Sequence, residues 1–109
     1  MVYFILSLSI VCEVIATTSL KESDGFSRLI PSVLTVLFYA AAFYLLTIPM
    51  KQIPTGIIYA VWSGAGIVLI SLIGWIYHGQ KIDLPGITGI GFIVAGVLII
   101  NIFSRSVTH

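Results

Sequence analysis

Glu13 is the residue around which any chemistry in this chain must be arranged. It stands inside an apolar run from Val2 to Leu20. Counted from about Tyr3 at helical rise, it lies roughly 15 Å along a helix, which would be mid-bilayer for a spanning segment. An acidic group at that depth costs about 2.5–3.5 kcal/mol on insertion scales. No lysine or arginine within an apolar stretch offers it a structural ion pair.

Two states are open to such a group. Out of water the neutral acid is favoured, which makes Glu13 a proton carrier. Ionised, it becomes a strong site for a cation that arrives without its hydration shell. One carboxylate cannot hold both comfortably, so proton and cation compete, and that competition is the physical basis of exchange. The competing reading is a protonated glutamic acid acting as hydrogen-bonding glue between helices. Glutamine would serve that purpose without an ionisable group.

Helical spacing sets the company Glu13 keeps. Leu6, Ser9, Ile10, Ala16, Thr17 and Leu20 share its face. Three of these, Ser9, Ala16 and Thr17, are small and allow another helix to come close. Aromatic pairs recur at helical spacing, Tyr39 with Phe43 and Tyr59 with Trp62. Aromatic faces attract cations by about 0.5–2 kcal/mol, though the same pairs serve plain packing. Tyr3, Trp75 and Tyr77 sit near stretch ends and read as an interfacial belt. Gly64 and Gly66 flank an alanine mid-stretch, where a glycine pair either kinks a helix or admits a close neighbour. Gly89 and Gly96 are seven apart with Ala95 and Val97 alongside, a small-residue face suited to packing within or between chains.

The elements that must position these residues follow from composition. Of 109 residues, 59% are hydrophobic and 8% charged, with a mean hydropathy of +1.15. A soluble domain averages about 45–50% apolar and roughly 25% charged, so lipid is the solvent for most of this chain. Charges divide it into apolar stretches over about 2–20, 29–50, 54–77 and 85–104. Each is about the length needed to cross a hydrocarbon core of about 30 Å as a helix. In lipid the backbone must satisfy its own hydrogen bonds, so the expected fold is all-α: one domain of four transmembrane helices. Short connections make consecutive helices antiparallel neighbours. Pro54 and Pro85 are expected in first turns, where a helix tolerates proline. Pro49 falls in the last turn of the second stretch and either ends that helix early or kinks it.

The positive charges give almost no orientation. Lys51 and Arg105 belong to one side, and Lys21, Arg28 and Lys81 to the other. Two against three leaves insertion both ways open, which would permit an antiparallel homodimer.

Several classes are excluded. The net charge is +1 without a basic run, so nucleic acid has no electrostatic footprint. Cys12 is the single cysteine and forms no internal disulfide. The first stretch lacks a basic lead-in and contains Glu13, unlike a signal peptide, and is expected to be part of the mature protein. His78 and His109 lack metal-ligand spacing with other donors. No nucleophile elbow, phosphate-cradling loop or catalytic carboxylate pair is present, so neither an enzyme nor a cofactor site is expected.

The motifs around these residues are specific. The run Glu13-Val14-Ile15-Ala16-Thr17-Thr18 followed by Leu20-Lys21 resembles the first-helix signature of the small multidrug resistance transporters. Ile53-Pro54-Thr55-Gly56 through Tyr59-Ala60-Val61-Trp62-Ser63-Gly64 resembles the third. Gly79-Gln80, Asp83-Leu84 and Ala95-Gly96-Val97-Leu98-Ile99-Ile100-Asn101 also fit, so the resemblance covers essentially the whole chain. It implies a four-helix protomer paired as an antiparallel homodimer in a bacterial inner membrane, exchanging protons for hydrophobic cations such as quaternary ammonium compounds. Glu13 would be the coupling residue. Tyr39, Phe43, Tyr59 and Trp62 would bind substrate, with Leu6, Ser9, Ile10 and Thr17 beside the carboxylate. Gly64 and Gly66 would flank a kink, and Gly89, Gly96 and Val97 would form the dimer seam.

A guanidinium-exporting branch of that family typically carries tryptophan three residues after the glutamate and serine on the second helix. Ala16 and Ala42 stand at those positions here, which favours the drug-exporting branch. Guanidinium or polyamine export is the alternative within the family. An ion channel or a non-transporting assembly subunit is the alternative outside it.

Overall fold

A computed structural model describes residues 1–104. Arg105, counted in the charge comparison, and His109, set aside as a metal ligand, lie outside the described residues. The chain forms α1 (Val2–Glu22), α2 (Leu29–Thr47), α3 (Thr55–His78) and α4 (Leu84–Phe103), with a 3-10 turn at Pro49–Lys51 between α2 and α3. All four α-helices are long and apolar enough to cross a membrane. Several polar side chains inside them turn back onto their own helix: Ser7 Oγ donates to the Tyr3 carbonyl, Thr35 Oγ1 to that of Pro31, and the Asn101 amide to that of Val97. In lipid no water is available to do this, so the preceding turn supplies the acceptor.

The ends differ from expectation in instructive ways. The second stretch was expected to run to residue 50, but α2 stops at Thr47. Pro49 has no N–H to continue the ladder, and the chain tightens into the 3-10 turn through Lys51 N–H to the Ile48 carbonyl. Pro54 precedes α3 as its N-cap residue instead of lying in the first turn, with ψ at 138°. Pro85 does lie in the first turn of α4, behind Asp83, whose Oδ1 accepts the Gly86 N–H at 3.0 Å. α3 ends at Gly79, whose φ of +63° suits glycine, and the N–H groups of Gly79 and Gln80 both reach the Gly74 carbonyl.

The helices divide into two compact units, one covering Met1–Lys51 and the other beginning at Gln52. In the first, α1 packs on α2 and buries Leu6, Ser9, Ile10, Val14, Ala16 and Ser19 against a face that includes Thr35, Ala42 and Leu46. The turn between them is held by Ser23, whose carbonyl accepts from Ser27 and Arg28 while its Oγ accepts from Phe26.

In the second unit α3 and α4 touch over a shorter stretch, and none of α4 is buried. Their close approach is at Gly64, where an added Cβ would lie 2.5 Å from Val97 Cγ2 and 3.4 Å from Ile93 Cγ2. Further along, Val68, Leu72 and Trp75 of α3 and Ile87 and Ile90 of α4 border an apolar crevice of about 300 Å³.

Valine is stiff at χ1, so Gly64→Ala must push α3 and α4 apart. Overpacking of this kind costs about 1–3 kcal/mol. The variant is expected to lose that much stability in thermal unfolding of the detergent-solubilised protein. Adding Val97→Ala is expected to restore most of it.

Candidate functional site

The site is built from α1 outward. Glu13 is half-buried on that helix, and Thr17 stands one turn further along. Thr17 Oγ1 donates to Glu13 Oε1 at 3.1 Å, and Thr17 Oγ1 lies 2.5 Å from the Tyr39 hydroxyl on α2. A threonine hydroxyl has one proton to give. With that proton on Glu13, Tyr39 must donate to Thr17, and the order of the chain is set: Tyr39 to Thr17 to Glu13. The second carboxyl oxygen, Oε2, is buried and has no hydrogen-bond partner among the described residues.

This leaves the carboxyl with two unlike oxygens. One is held by a neutral donor from the protein. The other is buried without a hydrogen-bond partner among the described residues, so a new partner there would displace no existing bond. A carboxylate in an apolar setting needs such partners to be tolerated at all.

The residues expected beside Glu13 separate into two groups. Thr17 and Tyr39 are brought to it. Leu6, Ser9 and Ile10 are buried among the side chains between α1 and α2, and Ser9 Oγ donates to the Ala42 carbonyl at 2.7 Å. Phe43 stacks on Tyr39 with ring centroids 6.1 Å apart while its outer side stays exposed.

In the second unit Tyr59 and Trp62 stack with centroids 5.8 Å apart at 29°. Trp62 is 7% exposed and Tyr59 56%, so the pair offers one open aromatic ring backed by a buried one. Gly64 and Gly66 are both buried within an uninterrupted α3. Gly64 thereby takes the close-packing role that its spacing also allowed. Nothing lies within 4 Å of a Cβ built at Gly89 or Gly96. Val97, placed by resemblance at a seam between copies, turns a methyl onto Gly64 of its own chain.

Sequence reasoning selected Tyr39 as an aromatic wall and missed its hydroxyl. Two signals could have found it: Thr17 lies four residues after Glu13, and position 39 is tyrosine where phenylalanine would do for an apolar wall alone. The bond from Ser9 to α2 had no comparable signal, because its acceptor is backbone.

Four helices long and apolar enough to cross a membrane, one of them carrying an acidic residue inside its apolar stretch, define a small multi-pass membrane protein. The family model for Small Multidrug Resistance protein matches residues 1–93. Over 107 residues, 98% of this chain and 97% of each relative, the chain is 56% identical to multidrug transporter EmrE of Escherichia coli K12 and 51% identical to quaternary ammonium compound-resistance protein QacF of Klebsiella aerogenes. It is 48% identical over the same shares to quaternary ammonium compound-resistance protein QacE of Escherichia coli. The chain belongs to the Small Multidrug Resistance family, and is a multi-pass protein of the bacterial inner membrane.

The hydroxyl chain makes a thermodynamic prediction. Tyr39→Phe removes its first donor and is expected to lower stability by about 0.5–1.5 kcal/mol. In a Thr17→Val background the same change should cost almost nothing more, because the bond it would break is already gone. Thermal unfolding of the four proteins of this cycle measures the coupling.

Proposed function

We propose that the protein is a proton-coupled antiporter that exports hydrophobic and quaternary ammonium cations by alternating access, with proton and cation competing for Glu13. The observation that carries this reading is the state of that one carboxyl: Oε1 is held by Thr17, and Oε2 is buried without a partner among the described residues. Exchange requires a group that can be either neutral or ionised in place. A neutral donor at one oxygen supports the ionised form without a fixed positive charge that would repel cargo.

The relatives support the choice of cargo, since those most similar include a multidrug transporter and quaternary ammonium resistance proteins. Each hairpin contributes its own feature. The first brings Glu13 with Thr17, Tyr39 and Phe43. The second brings the Tyr59–Trp62 stack, whose exposed tyrosine ring suits a flat or aromatic cation.

The working unit in this reading is an antiparallel homodimer that joins the four spans of each copy into one exchanger. The nearly even distribution of lysine and arginine favours insertion in both orientations. The open face of α4 at Gly89 and Gly96 offers the small residues that close helix pairing needs in lipid. If the two copies adopt different conformations, exchanging those conformations turns the opening from one side to the other. Protonation from the outer side displaces the cation there, and deprotonation on the inner side readies the site again.

Addition of tetraphenylphosphonium to the purified protein is expected to release protons, and Glu13→Gln is expected to abolish the release. Cells expressing Glu13→Gln should lose resistance to quaternary ammonium compounds entirely. Retained resistance would remove Glu13 from the mechanism. A proton current in proteoliposomes that needs no added cation would indicate a channel instead.

A further inference from the structure

We infer that Ser9 is a positioning residue that holds α1 in register against α2, and through that register holds Thr17 and Tyr39 on Glu13. The inference rests on the proposed exchange function, and it gives Ser9 a role other than contact with cargo. Ser9 and Ala42 are both fully buried, at 0% exposure, and the Ser9 hydroxyl donates to the Ala42 carbonyl at 2.7 Å. A side chain enclosed in this way, with its hydroxyl on the neighbouring backbone, presents no polar group to a passing cation.

Its placement gives the bond a consequence. Ser9, Glu13 and Thr17 follow one another at intervals of four on one face of α1, about 6 Å apart along the axis. The α1–α2 packing thus carries two polar tethers, Ser9 to Ala42 on one side of Glu13 and Thr17 with Tyr39 on the other. Their α2 ends are three residues apart, within one turn. The surrounding contacts, from Leu6, Ile10, Val14 and Leu46, are apolar and tolerate small axial slides.

A hydroxyl-to-carbonyl bond does not tolerate them, because it weakens steeply with distance and angle. A slide of two residues, about 3 Å, would break it and carry Thr17 beyond hydrogen-bond distance of the Tyr39 hydroxyl. Ser9 therefore supplies the directional constraint that apolar packing cannot. The Ala42 carbonyl is free to accept it because a carbonyl oxygen has two lone pairs.

The test is a binding cycle on the purified full-length protein with tetraphenylphosphonium across a range of pH, using wild type, Ser9→Ala, Tyr39→Phe and the double variant. Ser9→Ala is expected to weaken binding about three- to tenfold and to alter the pH profile. In the Tyr39→Phe background it is expected to weaken binding less than twofold, because there is no longer a hydroxyl to be held on Thr17. Ser9→Cys, close in size and a weak donor, should fall between wild type and Ser9→Ala.

Effects that multiply independently would mean that Ser9 meets the cation directly and would overturn the inference. So would a loss of thermal stability with binding and its pH profile unchanged, which is the signature of packing alone. If Ser9→Ala fails to fold, the comparison of Ser9→Cys with and without Tyr39→Phe decides in the same way. A wild-type protein that neither binds the cation nor releases protons would instead remove the exchange function on which the inference rests.

Discussion

The exchange proposed above depends on one constraint, a carboxylic acid held inside an apolar helix where its charge is poorly solvated. In bulk water Glu13 would need no partners. At mid-membrane its ionised form is expensive unless donors surround it, and a fixed cation nearby would hold it ionised permanently. The chain meets this with hydroxyls. Thr17 donates to one oxygen and Tyr39 backs Thr17 from the next helix. Neutral donors strengthen in a low-dielectric setting without deciding the protonation state on their own. An acid so placed keeps both of its states.

The two hairpins answer different demands. The first is closely packed and carries directional bonds between its helices, which suits a unit that must bring a carboxyl and a phenol onto the same threonine hydroxyl. The second is looser. Its helices meet closely at Gly64, where the absence of a Cβ lets Val97 in, and α4 leaves all its residues at least partly uncovered. In water such a helix would be unstable. In lipid, apolar exposure carries no comparable penalty, and small residues left uncovered are what close association between helices uses. A helix with Gly89 and Gly96 on open ground is thus consistent with a protein that is finished by association.

Most of the fold was legible in the sequence because a bilayer leaves few choices. Apolar stretches of about twenty residues have to be helices, and charges and prolines have to mark their ends. The misplaced boundaries lay where proline acts at short range: Pro49 ended α2 three residues before the apolar run did, and Pro54 capped α3 from outside. The site was legible only in part. Glu13 stood out by being the wrong residue for its surroundings, and Thr17 followed from helical spacing. The role of Tyr39 as a donor depends on how far α1 and α2 have slid past each other, and a one-dimensional pattern does not carry interhelical register. Ser9 was hidden for the same reason, and for one more, since a bond to a backbone carbonyl leaves no mark on the residue type at position 42.

That hidden register bears on how such a site keeps its character while its environment changes. A carboxyl that exchanges a proton for a cation alternates between neutral and charged, and each change alters the forces pulling on Thr17 and Tyr39. If only those two hydroxyls tied α1 to α2 around Glu13, every turnover would tend to shift the helices it depends on. A second tether one turn away, on a hydroxyl and a carbonyl that do not titrate, is untouched by that cycle. Separating the bond that holds register from the bonds that respond to charge lets the responding ones change without losing their alignment. One serine in the buried seam, bonded across to the neighbouring backbone, provides it.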